Sequence, residues 1–225
     1  MSSRTTPPRP FVYNPPAAET LPVLFADEHI LVLDKPSGLL TVPGRPAEHA
    51  DCLESRAREA FPEARIVHRL DMDTSGVIVL ALTAHAHRHI GLQFEKRQTR
   101  KEYQALVWGE VNDDVGRIDQ PIITDWPNRP RQMVDHERGR SAVTDWLVLA
   151  REGGMTRVSL KPLTGRSHQL RVHMDYLGHP ILGDNLYAHD QAFQARGRLC
   201  LHAKELGFRH PDGGEEMCFS SSVPF

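Results

Sequence analysis

The longest strongly apolar run in the chain is Val77-Ile78-Val79-Leu80-Ala81-Leu82. It falls far short of the ~20 residues that cross a bilayer, and with Gly76 ahead of it reads as a buried strand over 76–82. A second run, Ile30-Leu31-Val32-Leu33, follows Val23-Leu24-Phe25 across Asp27-Glu28 and reads as the return arm of a β-hairpin, ended by the turn chemistry of Lys35-Pro36-Ser37-Gly38. With 225 residues, 40% hydrophobic and 25% charged, the chain can build a sizeable core, which excludes wholesale disorder, a collagen-like repeat and a disulfide-dense miniprotein. Lys plus Arg number 27 against 29 Asp plus Glu, a net charge of −2, so charge balance selects no partner and function must be read from motifs.

Residues 1–20 carry Pro7, Pro8, Pro10, Pro15 and Pro16 among Ser, Thr and Arg, and read as an extended, mobile leader outside the core of residues 21–225. Leu53, Ala57, Ala60 and Phe61 predict a helix over 52–61 stopped by Pro62. Thr83 can cap a helix over 84–97 whose Ala86, Ile90 and Phe94 share one face. Strands are expected at 101–108, 142–150, 155–161, 198–207 and 216–219, with a Pro- and Arg-rich excursion over 121–140. A helix over 167–177 puts Leu170, Met174 and Leu177 on one stripe and stops at Gly178-His179-Pro180. Strands outnumber helices without βαβ regularity, which favours a mixed α+β domain, with or without lobes, over a doubly wound sheet. No internal repeat and no secretory signal is evident. Cys52, Cys200 and Cys218 form no Cys-x-x-Cys pair, so neither a disulfide framework nor a zinc knuckle is indicated and a reducing cytoplasm fits.

The most unusual stretch runs from Ile66 to Gly76 through Val67-His68-Arg69-Leu70-Asp71-Met72-Asp73-Thr74-Ser75, where charge interrupts the lead-in to a buried strand. A carboxylate wedged there loses water, and Asp71 then needs a cation or donors; the structural alternative is an Asx-turn at Asp71 or Asp73. A second cluster, Leu163-Thr164-Gly165-Arg166-Ser167-His168-Gln169-Leu170-Arg171-Val172-His173, is a turn feeding a helix, suited to an anion or equally to an ordinary solvated surface. Lys96-Arg97-Gln98-Thr99-Arg100-Lys101 and the segment from Asn128-Arg129-Pro130-Arg131 to Arg138-Gly139-Arg140 are local positive patches, either solvated faces or docking points for nucleic acid. Tyr103 alternates with Ala105 and Val107 on one strand face; it either packs or stacks a displaced base. His85, His87 and His89 would share an ion only on a strand, and on the expected helix no metal site follows.

His68-Arg69-Leu70-Asp71 followed by Thr74-Ser75-Gly76 resembles the signature of the RluA-type pseudouridine synthases. Lys101-Glu102-Tyr103 and the stretch from Thr164 to His173 are similar to the family's next two motifs. Asp34-Lys35-Pro36-Ser37-Gly38-Leu39, Gly178-His179-Pro180-Ile181-Leu182-Gly183-Asp184 and Leu199-Cys200-Leu201-His202-Ala203 extend the likeness over roughly residues 20–220. Asp125-Trp126-Pro127-Asn128-Arg129-Pro130 and Val42-Pro43-Gly44-Arg45 resemble the short dual-specificity RluA subgroup, whose members modify a 23S rRNA hairpin loop and a tRNA anticodon stem-loop and lack an S4 domain. The resemblance implies a pseudouridine synthase fold with a mixed, largely antiparallel central sheet, flanking helices and a central RNA-binding cleft.

By that resemblance Asp71 is the catalytic carboxylate, Arg171 the arginine that pairs with it, and Tyr103 lies against the flipped uracil. Leu201 forms an apolar wall, Arg69 fills the vacated base stack, and Arg166, Arg129 and Arg131 contact phosphates. His68 is placed at the RNA side of the site, with structural hydrogen bonding as its other reading. The isomerisation requires no cofactor and no metal, and the expected agent is a cytoplasmic monomer acting on RNA and not on membranes. Two other readings compete. Asp71-Met72-Asp73-Thr74 also fits the magnesium-holding nucleophile loop of haloacid-dehalogenase-type phosphatases, although His68 and Arg69 interrupt the apolar strand that loop needs. The other is an RNA-binding protein or chaperone that keeps the fold without the activity.

Overall fold

The fully apolar runs become strands covered on both faces. In chain order β1 (Val23–Ala26), β2 (Ile30–Lys35), α1 (Leu53–Ala60), β3 (Arg65–Ile66), β4 (Ser75–Ala81) and α2 (Ala84–Glu95) open the fold. Side chains of β2 and β4 alternate between two cores. Leu31, Leu33, Ile78 and Leu80 pack with Leu53 and Ala57 of α1. Ile30, Val32, Val77, Val79 and Ala81 pack with Ala86 and Ile90 of α2. Each of the Leu, Ile and Val side chains removed from water stabilises by roughly 1.5–3 kcal/mol, and the two helices together explain why neither strand shows polar alternation.

Local chemistry sets the boundaries. Asp27 Oδ1 accepts from the backbone N–H of His29 (2.7 Å) and Ile30 (2.8 Å), closing the β1–β2 turn. The Cys52 sulfur accepts from Ser55 N–H (3.4 Å) while Ser55 Oγ accepts from Cys52 N–H (2.9 Å), a reciprocal cap that starts α1. Thr83 Oγ1 accepts from Ala86 N–H at 3.0 Å, as expected, and α2 stops at Glu95, short of the predicted 97, where Arg97 turns to positive φ.

The computed structural model describes Arg9, residues 12–17 and residues 21–225, and the chain divides into two compact units. An N-terminal unit holds Tyr13–Tyr103 and His202–Pro224; a central unit holds Gln104–Leu201 with Arg9, Val12 and Phe225. β5 (Arg100–Trp108) leads from the first into the second. There β6 (Val115–Asp119), β7 (Ile122–Thr124), β8 (Gln132–Val134), β9 (Val143–Glu152), β10 (Met155–Pro162), α3 (Gln169–Tyr176) and α4 (Asp190–Gln194) follow. The chain returns through β11 (Leu201–Arg209) and ends its regular structure in β12 (Glu216–Ser220).

The strand order is β1-β2-β4-β11 in the N-terminal unit, with β3 on β4 and β12 on β11; in the central unit it is β5-β10-β9-β6, with β7 and β8 forming a separate hairpin. The β4–β11 pairing is parallel, whereas β1–β2, β2–β4, β3–β4, β11–β12, β6–β9, β9–β10 and β7–β8 are antiparallel. This is the mixed, mostly antiparallel α+β architecture expected from the sequence.

Two further expectations change. The excursion over 121–140 contains β7 and β8, paired Ile122 to Val134, Ile123 to Met133 and Thr124 to Gln132. Three-residue arms separated by a Pro-containing 3-10 turn at Trp126–Asn128 are too short to show periodicity. The strand expected from 198 begins at Leu201, because Cys200 instead hydrogen-bonds backbone groups of Leu106 and Leu182. The leader is anchored where it is described: the Tyr13 hydroxyl donates to Asp51 O (2.7 Å) and accepts from Leu40 N–H (3.2 Å). Arg9 meets Asp190 at 2.8 Å with its guanidinium 4.1 Å from the Phe193 ring centre. The other residues of that leader lie outside the described residues. Among the described residues no helix is long and apolar enough to cross a membrane, and the three cysteines are free thiols.

Candidate active site

Asp71 lies on the connection between β3 and β4, and its backbone is clamped on both sides. Lys35, the last residue of β2, is fully buried, and its ammonium donates to the carbonyls of Pro36 (2.9 Å), Leu39 (2.6 Å) and Met72 (2.8 Å). Thr41 Oγ1 donates to Leu70 O (2.7 Å), Thr74 N–H to Asp71 O (3.1 Å), Gly38 N–H to Met72 O (3.0 Å) and Ser37 Oγ to Asp73 O (2.7 Å). Four successive carbonyls, 70 to 73, are therefore engaged, which fixes where the half-buried Asp71 side chain leaves the main chain.

The exit from this loop is equally constrained. Ser75 Oγ and His202 Nδ1 are 2.9 Å apart, and His202 Nε2 is 2.7 Å from Ser221 Oγ. Gly76, at φ +116°, faces Ala203 of β11 so closely that a β-carbon would overlap the Ala203 carbonyl. Only glycine meets both the backbone angle and the contact.

Tyr103 packs on the core cluster that includes Leu33, Leu70 and Ala203. Burial first, and then the negative charge of Asp71, raise the phenol's pKa above its ordinary value, so the ring stays neutral beside the carboxylate. His68 makes the structural hydrogen bond that was its other reading. Its ring stacks on Phe94 with centres 4.3 Å apart, and Nε2 accepts from Val79 N–H at 3.2 Å. Burial, helped by the charge of Lys101, pushes its pKa down to about 3. A neutral ring engaged on both face and edge serves the fold. Arg69, next along the chain, is exposed.

In the central unit the other motif is organised by buried side chains. Gln169 Oε1 accepts from Thr164 Oγ1 (2.7 Å) and Arg166 N–H (3.0 Å), while its Nε2 donates to Val143 O and Thr144 Oγ1, both at 3.0 Å. The turn before α3 is thereby set, with His168 at φ +54° and Arg166 Nε donating to Ser141 O at 3.1 Å. Arg171 projects from α3 into a buried bidentate pair: Nε to Asp184 Oδ2 at 2.8 Å and Nη2 to Asp184 Oδ1 at 2.7 Å.

Tyr187 contacts two cations, its ring centre 5.2 Å from the Arg171 guanidinium carbon and 5.4 Å from that of Arg131. Its hydroxyl accepts from Gln132 N–H (2.8 Å) and meets His168 Nδ1 (2.7 Å), tying the start of β8 to the start of α3. Arg129 lies 4.6 Å over the ring of Trp126, which is 65% exposed. Leu201 is buried at the start of β11.

Of the residues expected at the site, Asp71, Tyr103, His68 and Arg69 belong to the N-terminal unit, and Arg171, Arg166, Arg129, Arg131 and Leu201 to the central unit. Sequence reasoning missed Lys35, Asp184 and Tyr187 as organisers. A lysine closing an apolar strand, and an aspartate after Gly183, were the signals available. Of the three histidines of α2, His85 and His89 stack with ring centres 6.0 Å apart, and His87 reaches Ile66 O. Among the described residues no group of three or more His, Cys, Asp or Glu side chains could hold a metal ion.

Comparison with known proteins identifies the family of the chain. A family model described as RNA pseudouridylate synthase matches residues 29–176. The protein described as dual-specificity RNA pseudouridine synthase RluA of Yersinia pestis is 53% identical over 204 residues, covering 90% of this chain and 99% of its own. That of Escherichia coli K12 is 51% identical over 214 residues, covering 95% and 98%. Among solved structures, human RNA pseudouridylate synthase domain containing 1 superposes with a TM-score of 0.78 at 30% identity, covering 94% of this chain and 87% of that one. Human RNA pseudouridylate synthase domain containing 4 gives 0.72 at 26% identity, covering 90% and 88%. The clamped Asp71 loop, the Tyr103 strand and the Arg171 helix thus sit within a chain that belongs to the RNA pseudouridylate synthase family.

Proposed function

We propose that this enzyme isomerises uridines in two RNA contexts, a 23S rRNA hairpin loop and a tRNA anticodon stem-loop, with Asp71 as the catalytic carboxylate. The observation that carries the reading is the Asp71 loop itself, whose four successive backbone carbonyls from 70 to 73 are all engaged, with the Asp71 carboxylate beside the buried, neutral Tyr103 phenol. Support for two substrates comes from relatives at 50–53% identity that are described as dual-specificity. The rRNA and tRNA contexts follow from the resemblance of the Asp125–Pro130 stretch.

The reaction breaks the N1–C1′ bond, turns the base and joins C5 to C1′; a proton leaves C5 and one is gained at N1. Electrons balance without an oxidant, reductant or activated donor. Asp71 either attacks C1′ or removes a sugar proton to give a glycal, and both routes need an ionised carboxylate. Arg171 provides the guanidinium that keeps it ionised when RNA excludes water. Tyr103 supports the everted uracil and Leu201 closes its apolar side. Arg69 replaces the base in the stack, at a site where eversion costs a few kcal/mol, and Arg129, Arg131 and Arg166 offset that cost through phosphates. The work is done by a single chain in the cytoplasm, where both RNAs are found.

Tritium release from RNA carrying [5-³H]uridine, measured in EDTA, tests the reading. Release by the wild type and none by Asp71→Asn, with RNA binding retained, is the expected result. Turnover by Asp71→Asn near the wild-type rate, or a strict need for divalent metal, overturns it. Mapping pseudouridine in RNA from cells lacking the protein tests the substrates: loss at one rRNA and one tRNA position is expected.

A further inference from the structure

Asp184 is 1% exposed and carries no part of the reaction described above, yet it makes four hydrogen bonds. Two run to Nε and Nη2 of Arg171, and its Oδ1 also accepts from the backbone N–H of Leu186 (2.9 Å) and Tyr187 (3.1 Å). Asn185 Oδ1 accepts from the same Nη2 at 3.1 Å, and the Tyr187 ring covers the guanidinium at 5.2 Å. The residue before it, Gly183 at φ +72°, leaves no room for a β-carbon against the Arg198 carbonyl, so the Asp184 main chain is fixed as well.

A buried pair of this kind is weak evidence for stability, because desolvating both ions cancels much of their attraction and an apolar pair of similar volume is often as stable. What a bidentate pair through Nε and Nη2 does supply is orientation: it fixes the guanidinium plane and the direction of its outer edge. Burial pushes the Asp184 carboxyl pKa up, but Arg171 and the two backbone donors outweigh it and leave the pKa below the ordinary range, so the acceptor stays charged. From these contacts we infer that Asp184 is a positioning residue for catalysis, presetting the Arg171 guanidinium for the reacting carboxylate. This rests on reading Arg171 as the cation of the site.

A double-mutant cycle tests it, with kcat and KM from tritium release and thermal melts on every protein. Asp184→Asn is expected to lower kcat on the order of 10–100-fold with KM unchanged, the scale of a small misplacement at a reacting centre. In the Arg171→Met background the same change is expected to cost nothing more, because its route is already gone. Where Asp184→Asn does not fold, Asn185→Ala removes one guanidinium contact and is expected to show a smaller loss of kcat that also vanishes in that background. An equal loss in both backgrounds, or unchanged kcat in a folded Asp184→Asn or Asn185→Ala protein, overturns the inference while leaving the assignment of Arg171 intact. Wild-type turnover by Arg171→Met refutes the underlying reading instead.

Discussion

The Lys35 ammonium sits 2.8 Å from the carbonyl of Met72, across a separation of 37 residues, and so a buried cation at the end of β2 holds the residue that follows Asp71. Lys35→Met keeps the length of the side chain and removes all three donors, leaving the carbonyls of Pro36, Leu39 and Met72 short of a partner. The expected destabilisation is about 2–5 kcal/mol by urea unfolding, and the fraction that folds is expected to lose on the order of 100-fold in kcat with RNA affinity retained. Equal kcat in the folded protein would separate the clamp from catalysis.

Glycine substitutions at two sites should have opposite outcomes. Gly76→Ala combines φ +116° with overlap on the Ala203 carbonyl, and is expected to cost more than about 3 kcal/mol. Gly91→Ala, in α2 with nothing within 4 Å of the added β-carbon, is expected to stabilise by about 0.5–1 kcal/mol. Melting temperatures of the two variants read the difference directly.

His68 makes stability pH-dependent on the acid side. Its folded pKa, about 3, lies below its unfolded value near 6.5, so the unfolded chain takes up a proton that the folded ring refuses. Its contribution is therefore complete above pH 6.5 and declines as the pH falls towards 3. Comparing urea midpoints of the wild type and His68→Gln at pH 7.5 and 5 should show a shallower acid-side loss in the variant.

Arg129 stacks on an exposed tryptophan and makes none of the contacts that order Asp71 or Arg171. Arg129→Ala is expected to leave melting unchanged, to weaken RNA binding and to reduce the slope of log affinity against log salt by about 1. A wild-type slope would remove Arg129 from the phosphate-contacting set.

Much of this protein can be read along the chain because burial leaves periodic traces. The run at 30–33 foretold a hairpin arm and that at 77–82 a buried strand, and Thr83, Pro62 and Gly178 marked helix limits by the hydrogen bonds they make or deny. The hairpin of β7 and β8 left no such trace, since three-residue arms around Trp126–Asn128 never complete a pattern. At the site, Asp71 stood out as a charge in an apolar setting. Lys35, Asp184 and Tyr187 did not, because each acts on a residue distant in sequence, and a lone aspartate or lysine looks the same whether it faces water or a guanidinium. His68 shows the converse: a position inside a signature motif whose side chain supports β4 and α2.

The parallel pairing of Ser75 and Gly76 with His202 and Ala203 also sets a timetable for synthesis. Asp71 emerges from the ribosome early, but the imidazole behind Ser75 and the carbonyl that Gly76 faces are translated more than a hundred residues later. A nascent chain halted before β11 holds every residue of the acidic loop and lacks the backing that completes it. The finished geometry of the loop becomes available only once translation has passed through the whole intervening unit.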